Sequence, residues 1–165
     1  MILGQPGAGK STLARRLGAA TGLPVHHVDR IHWMPGWTER PHAEKVPMAR
    51  AIEASERWIF EGGLSATWPE RAARADLILW LDVALPLRLW RVWRRRWEWG
   101  GRTRPDLPED CPEQITWEFT WFILRTARRS RARMAALAAE WPGKSRRIAS
   151  RREADALVAE ARGWS

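Results

Sequence analysis

The chain has 165 residues, a formal net charge of +9 and a pI of about 11.3. This length suits one domain with one hydrophobic core, and an apolar share of 45% excludes wholesale disorder. A single cysteine excludes an internal disulfide and favours a reducing, cytoplasmic setting. The basic excess predicts anionic partners such as nucleotides, phosphates or nucleic acid.

Short apolar runs alternate with helical patterns. In chain order, the sequence predicts a strand at 1–3, a helix at 11–20, a strand at 25–28, a loop over 33–42, a helix at 43–55, a strand at 58–60, a helical or loop link at 71–74, a strand at 77–83, a helix at 85–97, a mobile loop over 100–112, a helix at 114–141, a strand at 147–150 and a helix at 153–162. Such alternation is typical of an α/β fold, in which helices cover both faces of a parallel sheet.

We find no internal repeat and no linker, so residues 1–165 are expected to form a single domain. The apolar run from Leu77 to Leu81 is far too short to span a bilayer, and the start of the chain does not resemble a signal peptide. We therefore expect no membrane association.

A phosphate-binding loop is the most specific motif in the chain. The pattern G-x-x-x-x-G-K-[ST] is matched in full by Gly4-Gln5-Pro6-Gly7-Ala8-Gly9-Lys10-Ser11. Glycines allow backbone N–H groups to turn inward around an anion, and the following helix adds its unpaired N-terminal donors. Lys10 is expected to reach the β- and γ-phosphates of ATP. The Ser11 hydroxyl is expected to bind Mg²⁺, and Thr12 to hydrogen-bond the α-phosphate.

Phosphoryl transfer also needs a carboxylate for the metal and a group that receives the acceptor. Glu61 follows one buried strand and Asp82 ends another, so both are candidates for the metal. We favour Glu61, because the pair Gly62-Gly63 after it lets backbone approach a ligand closely. Asp29 ends the second strand and is a candidate to accept a proton from an acceptor hydroxyl or to help hold the metal.

Histidines and arginines surround these candidates. His26, His27 and His32 match no zinc spacing, so we expect them to contact the acceptor or to pack. Arginines on the predicted helix and loop at 85–112 suit a lid that closes over a triphosphate; they are Arg91, Arg94, Arg95, Arg96, Arg102 and Arg104. A second run on the next helix, from Arg125 to Arg133, is interpreted as a solvated surface.

Several segments together resemble one bacterial family. They are the phosphate-binding loop, His27-Val28-Asp29-Arg30-Ile31-His32-Trp33-Met34-Pro35-Gly36-Trp37, Trp58-Ile59-Phe60-Glu61-Gly62, Ala75-Asp76-Leu77-Ile78-Leu79-Trp80-Leu81-Asp82 and Arg104-Pro105-Asp106. Their order is similar to that in the "DNA topology modulation protein" family, which itself resembles adenylate kinase and shikimate kinase in fold. Those relatives usually have Asp where Glu61 stands, and the longer side chain would shift any metal-bound water.

The resemblance implies a three-layer P-loop NTPase fold with a five-stranded parallel sheet in the order 2-3-1-4-5. It also implies an acceptor-binding segment at about 30–57 and a lid at about 95–113. Arg91 matches the arginine that packs on adenine, and Arg95 matches a lid-base arginine that contacts phosphates. Gly62 and Gly63 match glycines that line the acceptor pocket of shikimate kinase.

The sequence therefore predicts an ATP- and Mg²⁺-dependent kinase with a small acceptor, either a nucleoside monophosphate or a hydroxyl-bearing metabolite. Acceptor-contacting residues are expected to include Asp29, His32, Trp33, Trp37, Gly62, Gly63, Arg102 and Arg104. The alternative is an ATP-binding or ATPase regulator that acts on DNA topology or nucleic acid, which the charge permits but no DNA-reading motif supports. A degenerate nucleotide-binding module is a third possibility, and the chain is expected to be a monomer or a homodimer.

Overall fold

A computed structural model describes residues 1–164 of the chain. Its helices are α1 (Lys10–Thr21), α2 (Val28–His32), α3 (His42–Ala54), α4 (Trp68–Arg74), α5 (Leu85–Trp99), α6 (Trp117–Glu140) and α7 (Arg151–Ala161). Its strands are β1 (Ile2–Gly4), β2 (Val25–His27), β3 (Trp33–Met34), β4 (Thr38–Glu39), β5 (Ile59–Glu61), β6 (Ile78–Leu81) and β7 (Ser145–Ile148). Single 3₁₀ turns occupy Pro35–Trp37 and Ser65–Thr67.

Five strands form the predicted parallel sheet, in the order β2-β5-β1-β6-β7. Among these five strands alone, the order is second, third, first, fourth, fifth in the chain. The labels differ from the predicted 2-3-1-4-5 because the chain forms two further strands, β3 and β4, between the second and third strands of the sheet. Strand β1 lies at the centre, so the loop that follows it opens at the middle of the sheet edge.

Helices cover both faces of the sheet. On one face, α1 and α7 pack against apolar residues of β1, β6 and β7 that include Ile2, Leu79 and Ile148. On the other face, α4 and α6 pack around Leu3 and Ile78. A third cluster joins α2 and α3 to β5, where the Phe60 side chain is fully buried. No helix within residues 1–164 is long and apolar enough to cross a membrane.

Helix ends follow local sequence chemistry. Gly22 ends α1 in the left-handed region, with φ of 71°, and its N–H bonds to the Gly18 carbonyl at 2.8 Å. Thr116 and Ser150 begin α6 and α7 by accepting a hydrogen bond from the backbone N–H three residues later. These caps explain why both helices begin a few residues from the positions that periodicity predicts.

Two sequence expectations in the segment after β2 were wrong. The predicted loop over 33–42 contains an antiparallel hairpin, with Trp33 opposite Glu39 and Met34 opposite Thr38. The chain reverses there because Gly36 and Trp37 adopt positive φ values of 72° and 58°. The second strand also ends at His27 rather than at residue 28, because α2 begins there.

Helix α6 is present, but its apolar spacing does not mark its buried side. The sequence gives helical spacing to Ile115, Phe119, Phe122 and Thr126, of which the structure leaves Phe122 45% exposed. The buried residues of α6 are instead Thr120, Ile123, Met134 and Leu137. The first half of α6 therefore presents aromatic residues to solvent.

The Arg71–Glu53 ion pair is expected to make a large contribution to stability. Both side chains are buried, Arg71 Nε lies 2.8 Å from Glu53 Oε1, and the guanidinium lies 3.9 Å from the centre of the Phe60 ring. Arg71→Met leaves a buried carboxylate without its partner, and we expect a loss of about 3–5 kcal/mol in the free energy of unfolding measured in urea.

The control is Arg50→Met, which breaks a fully exposed pair with Glu70 and should not change that free energy measurably. The double variant Arg71→Met/Glu53→Leu should recover much of the loss, because neither charge is then left alone. Equal effects of Arg71→Met and Arg50→Met would contradict this assignment.

Candidate functional site

Residues 5–9 form a tight loop between β1 and α1. Gly7 and Gly9 adopt left-handed φ values of 77° and 97°, and the Ala8 N–H bonds to the Gln5 carbonyl at 3.0 Å. Gly9 begins α1 without a side-chain cap. The first amides of α1 are therefore free of a side-chain acceptor, as a helix N-terminus that receives an anion requires.

Helix α5 packs directly against this loop at Gly7. A Cβ built on Gly7 would lie only 2.4 Å from the Arg88 carbonyl oxygen. Glycine is therefore required at Gly7 twice over, by its positive φ and by this contact. The same packing brings Arg91 to the loop, where its Nη1 donates to the Ala8 carbonyl at 3.2 Å.

The polar residues of the motif point to different neighbours. Lys10 Nζ lies 3.5 Å from the Gln5 carbonyl, so its ammonium folds back across the loop. The Ser11 hydroxyl donates to Glu61 Oε1 at 3.0 Å. Thr12 is exposed. Lys10 and Ser11 thus lie together at the carboxyl ends of β1 and β5.

Glu61 is the carboxylate that the fold brings to Ser11. It ends β5, next to β1 in the sheet, and its side chain is 3% exposed. Its Oε1 also lies 2.7 Å from His27 Nδ1, its partner in the β2–β5 register. The rival carboxylate, Asp82, is held by Arg131 and Arg147 at 2.7–2.8 Å.

Asp29 and Asp106 complete a group of acidic side chains near Ser11. Burial and the charge of Glu61 raise the pKa of Asp29, against the opposing effects of Lys10 and Arg104. Burial also acts to raise the pKa of Asp106, but Arg104, a backbone hydrogen bond, Ser11 and His27 together bring it below its ordinary value. The pKa values of these two aspartates are thus shifted in opposite directions, and Asp29 is the one more disposed to hold a proton.

The loop over 100–116 folds back towards this group through an arginine network. Arg104 lies 2.6 Å from Asp106 and 2.5 Å from Glu113, while Arg95 lies 3.1 Å from Glu113. Arg102 does not join it, because its Nη2 donates to the Glu98 carbonyl at 2.7 Å and its guanidinium lies over Trp99. Of the predicted lid arginines, Arg91 contacts the phosphate-binding loop, whereas Arg95, Arg96 and Arg104 all contact Glu113.

The β3–β4 hairpin closes against the same lid segment. The Gly36 N–H bonds to the Asp110 carbonyl at 3.1 Å, and Trp37 Nε1 donates to the Pro112 carbonyl at 3.0 Å. Arg30 Nη2 donates to the Pro105 carbonyl at 2.7 Å. The fully buried Cys111 thiol lies between the Met34 carbonyl and the Trp37 N–H, at 3.4 Å from each.

Aromatic residues of the hairpin form a cluster. The Trp33 ring lies 4.6 Å from His32 and 5.2 Å from Trp37, in edge-to-face arrangements. Lys45 Nζ lies 3.1 Å from His32 Nδ1, and burial together with this charge lowers the pKa of His32. Three of the predicted acceptor-contacting residues, His32, Trp33 and Trp37, thus belong to one aromatic cluster.

Gly62 and Gly63 follow Glu61 but differ in their surroundings. Gly62 has φ of 119°, and a Cβ on it would lie 2.7 Å from Val28 Cβ. The chain can therefore pass this close to α2 only because the residue is glycine. Gly63 is exposed, has nothing near its Cβ direction, and accepts a hydrogen bond from Trp68 Nε1 at 2.8 Å. Only Gly62 is packed against α2, the helix that contains Asp29.

Sequence reasoning did not foresee the contact of His27 with Glu61, and it missed Asp106 and Glu113 as members of this site. His27 could have been found from strand pairing, since it lies opposite Glu61. Asp106 stands in the Arg104-Pro105-Asp106 motif, whose polar residues indicated a role without locating it. Nothing in the sequence marks Glu113 as the shared partner of two arginines.

Comparison with known proteins adds no assignment. No family model matches the chain, and no curated protein matches it. Among residues 1–164, no group of three or more His, Cys, Asp or Glu side chains is arranged to hold a metal ion by itself.

The pKa of Asp29 is a direct test of the acidic group. Measured by NMR of its side-chain carboxyl carbon, it should lie above the ordinary 3.8 and fall towards that value in Glu61→Gln, where one neighbouring negative charge is gone. Glu70→Gln, at a fully exposed carboxylate, should leave it unchanged.

The raised pKa of Asp29 also determines how its contribution to the free energy of unfolding changes with pH. Between the two pKa values of Asp29 the folded chain binds more protons than the unfolded chain, so the contribution of Asp29 to the free energy of unfolding decreases as pH rises. A pKa of Asp29 at or below 3.8 in the folded protein would contradict the assignment.

Proposed function

We propose that the chain is an ATP- and Mg²⁺-dependent kinase of the P-loop type, which transfers the γ-phosphate of ATP to a small acceptor. The observation that supports this best is the Ser11 hydroxyl 3.0 Å from the buried Glu61 carboxylate, beside Lys10 and beneath a loop with two left-handed glycines. The order of strands around β1 and the resemblance to the adenylate-kinase-like "DNA topology modulation protein" family support it further.

The loop residues fit a triphosphate. The amides made available by Gly7 and Gly9, together with the N-terminus of α1, supply donors for phosphate oxygens, and Lys10 supplies a point charge. Ser11 and Glu61 supply hard oxygen ligands, directly or through water, of the kind that Mg²⁺ prefers. Held by Ser11 and Glu61, Mg²⁺ would offset the negative charge of the phosphate oxygens.

Asp29 is suited to receive the proton of an acceptor hydroxyl. Its side chain makes no hydrogen bond within residues 1–164, and its raised pKa moves it towards the range in which a general base works efficiently. In the proposed reaction, the acceptor oxygen bonds to the γ-phosphorus and the bond to the β,γ-bridging oxygen breaks. ADP leaves, and the hydroxyl proton passes to Asp29.

The closed hairpin and lid supply the remaining requirements. The Trp33 and Trp37 rings pack together, and Trp33 also contacts His32, whose pKa the charge of Asp29 acts to raise. In the proposed reaction this cluster shields the acceptor from water, which limits hydrolysis of ATP. Arg91 places a guanidinium at the phosphate-binding loop, and Arg95 and Arg104 hold the lid through Glu113. In this arrangement Arg91 stabilises charge on the transferred group, whereas Arg95 and Arg104 hold the lid in place.

A nucleic-acid role without a small acceptor is the second candidate. An exposed aromatic face on α5 and the start of α6 favours it, formed by Trp90, Trp97, Trp117 and Trp121. Arg94 lies 5.3 Å over the Trp90 ring, and Arg125 and Arg129 are exposed nearby on α6. Exposed rings beside arginines suit the stacking of unpaired bases and contact with phosphates.

Lys10→Ala tests the kinase proposal. It should abolish detectable transfer from [γ-³²P]ATP to a panel of nucleoside monophosphates and small hydroxy acids, because the β- and γ-phosphates lose their point charge. Lys144→Ala removes a lysine on the opposite side of the sheet, where it contacts the Ala73 carbonyl, and should retain transfer. Full activity of Lys10→Ala with unchanged unfolding behaviour would defeat the proposal.

Asp29→Asn tests the proton transfer. With a hydroxyl acceptor we expect kcat to fall by about 10²–10⁴-fold while the affinity for ATP stays unchanged, because the amide cannot take a proton. With a phosphate acceptor, whose oxygen is already ionised, the loss should be much smaller. A hydroxyl acceptor whose kcat is insensitive to Asp29→Asn would remove Asp29 from this role.

Single-stranded DNA tests the second candidate. Binding through arginines and exposed rings should weaken linearly in log affinity against log salt concentration, and Trp97→Ser/Trp121→Ser should weaken it further at every salt concentration. Binding that ignores both salt and these substitutions, or no binding at all, would leave the aromatic face without a nucleic-acid role.

A further inference from the structure

Arg88 is a buried positive charge without a carboxylate partner. Its side chain is 2% exposed, and its Nη1 donates to the Pro6 carbonyl at 3.3 Å. Its Nε has no hydrogen-bond partner, and no acidic side chain within residues 1–164 lies at ion-pair distance from it. Burial lowers the pKa of Arg88, and the charge of Asp82 offsets this only in part. Such a charge is costly unless an anion accompanies it.

The nearest carboxylate is already occupied. Asp82 receives both Nε and Nη2 of Arg131, each at 2.7 Å, and Nε of Arg147 at 2.8 Å. Arg128, one turn before Arg131 on α6, makes no hydrogen bond or ion pair in the described part of the chain. Four arginines, Arg88 included, thus surround one carboxylate, and the region keeps a positive excess.

An open cavity of about 340 Å³ lies among these arginines. Its lining includes Gln5, Ala84, Arg88 and Arg128, together with Asp82 and its two ion-pair partners, Arg131 and Arg147. This volume is roughly ten times the ~30 Å³ that one water molecule occupies in the liquid, so a phosphate group with a small organic part fits it.

The beginning of α5 adds backbone donors to the same cavity. Ala84 precedes the helix and provides no side-chain cap, and Leu85 lines the cavity. The first intrahelical hydrogen bond of α5 runs from the Arg88 N–H to the Ala84 carbonyl, so the N–H groups of Leu85 and Leu87 have no acceptor within the helix. Pro86, between them, has no N–H group. The positive end of a 15-residue helix therefore faces the region that already holds the unpartnered Arg88.

We propose that this cavity is a second anion site, which binds the phosphate group of a small phosphomonoester through Arg88, Arg128 and the N-terminus of α5. It lies on the α6 side of the phosphate-binding loop, away from Lys10 and Ser11. The cavity reaches that loop through Gln5, which lines it, and through Arg88, which donates to Pro6 and whose carbonyl packs against Gly7. An anion bound there therefore restrains the position of the loop.

Calorimetric titration with ribose 5-phosphate and with inorganic phosphate tests this site. Arg88→Met and Arg128→Ala should each weaken binding by about tenfold or more, whereas Lys10→Ala should leave it unchanged. Tighter binding of ribose 5-phosphate assigns the site to phosphomonoesters, and equal binding assigns it to free phosphate. The matched control is Arg133→Ala, at an exposed arginine of the same helix that does not line the cavity.

Two results would overturn the proposal. One is binding that is lost in Lys10→Ala but kept in Arg88→Met, which would place the ligand in the phosphate-binding loop. The other is no binding of either probe to the unmodified protein.

We also expect Arg88→Met to melt no lower than the unmodified protein without phosphate, because it removes an unpaired buried charge. If that variant does not fold, Arg128→Ala decides alone, since Arg128 is exposed. None of these readouts depends on phosphoryl transfer, so the proposed kinase function can fail independently.

Discussion

The hydrogen bonds of Glu61 link the separate parts of the site. Its buried carboxylate accepts from Ser11 of the phosphate-binding loop and lies 2.7 Å from His27 of the neighbouring strand. Because β1, β2 and β5 are adjacent and parallel, their carboxyl ends bring these three side chains to one edge. A buried carboxylate with fixed partners is held in one orientation, so the position of Ser11 depends on strand pairing as well as on its own loop.

Charge balance explains how so many ionisable groups share a small volume. Asp29, Glu61 and Asp106 gather near Lys10 and Arg104, and Glu113 joins Arg104 to Arg95 at the base of the lid. Each acid in the network except Asp29 has a basic or hydroxyl partner at hydrogen-bond distance. The pKa of Asp29, which lacks such a partner, is raised because the carboxyl is buried beside another negative charge.

The parts of the fold set by local sequence could be predicted. The tight turn between β1 and α1, the strands of the sheet and most helices follow from glycine positions and apolar periodicity. The structure also brings Ser11 to Glu61, the two residues that the sequence proposes for the metal, whose role stays a prediction. The β3–β4 hairpin could not be predicted, because it depends on a positive φ at Trp37, a residue that seldom adopts one. The burial of Arg88 was equally hidden, since it arises from packing against a loop about 80 residues away in sequence.

The contacts of the β3–β4 hairpin with residues 110–112 couple the two segments. Gly36 and Trp37 bond to backbone carbonyls at residues 110 and 112, and the Cys111 thiol fills the seam between the two segments. These contacts join the hairpin to the loop and not to the central sheet, so each segment holds the other. Breaking these contacts would therefore free both segments together.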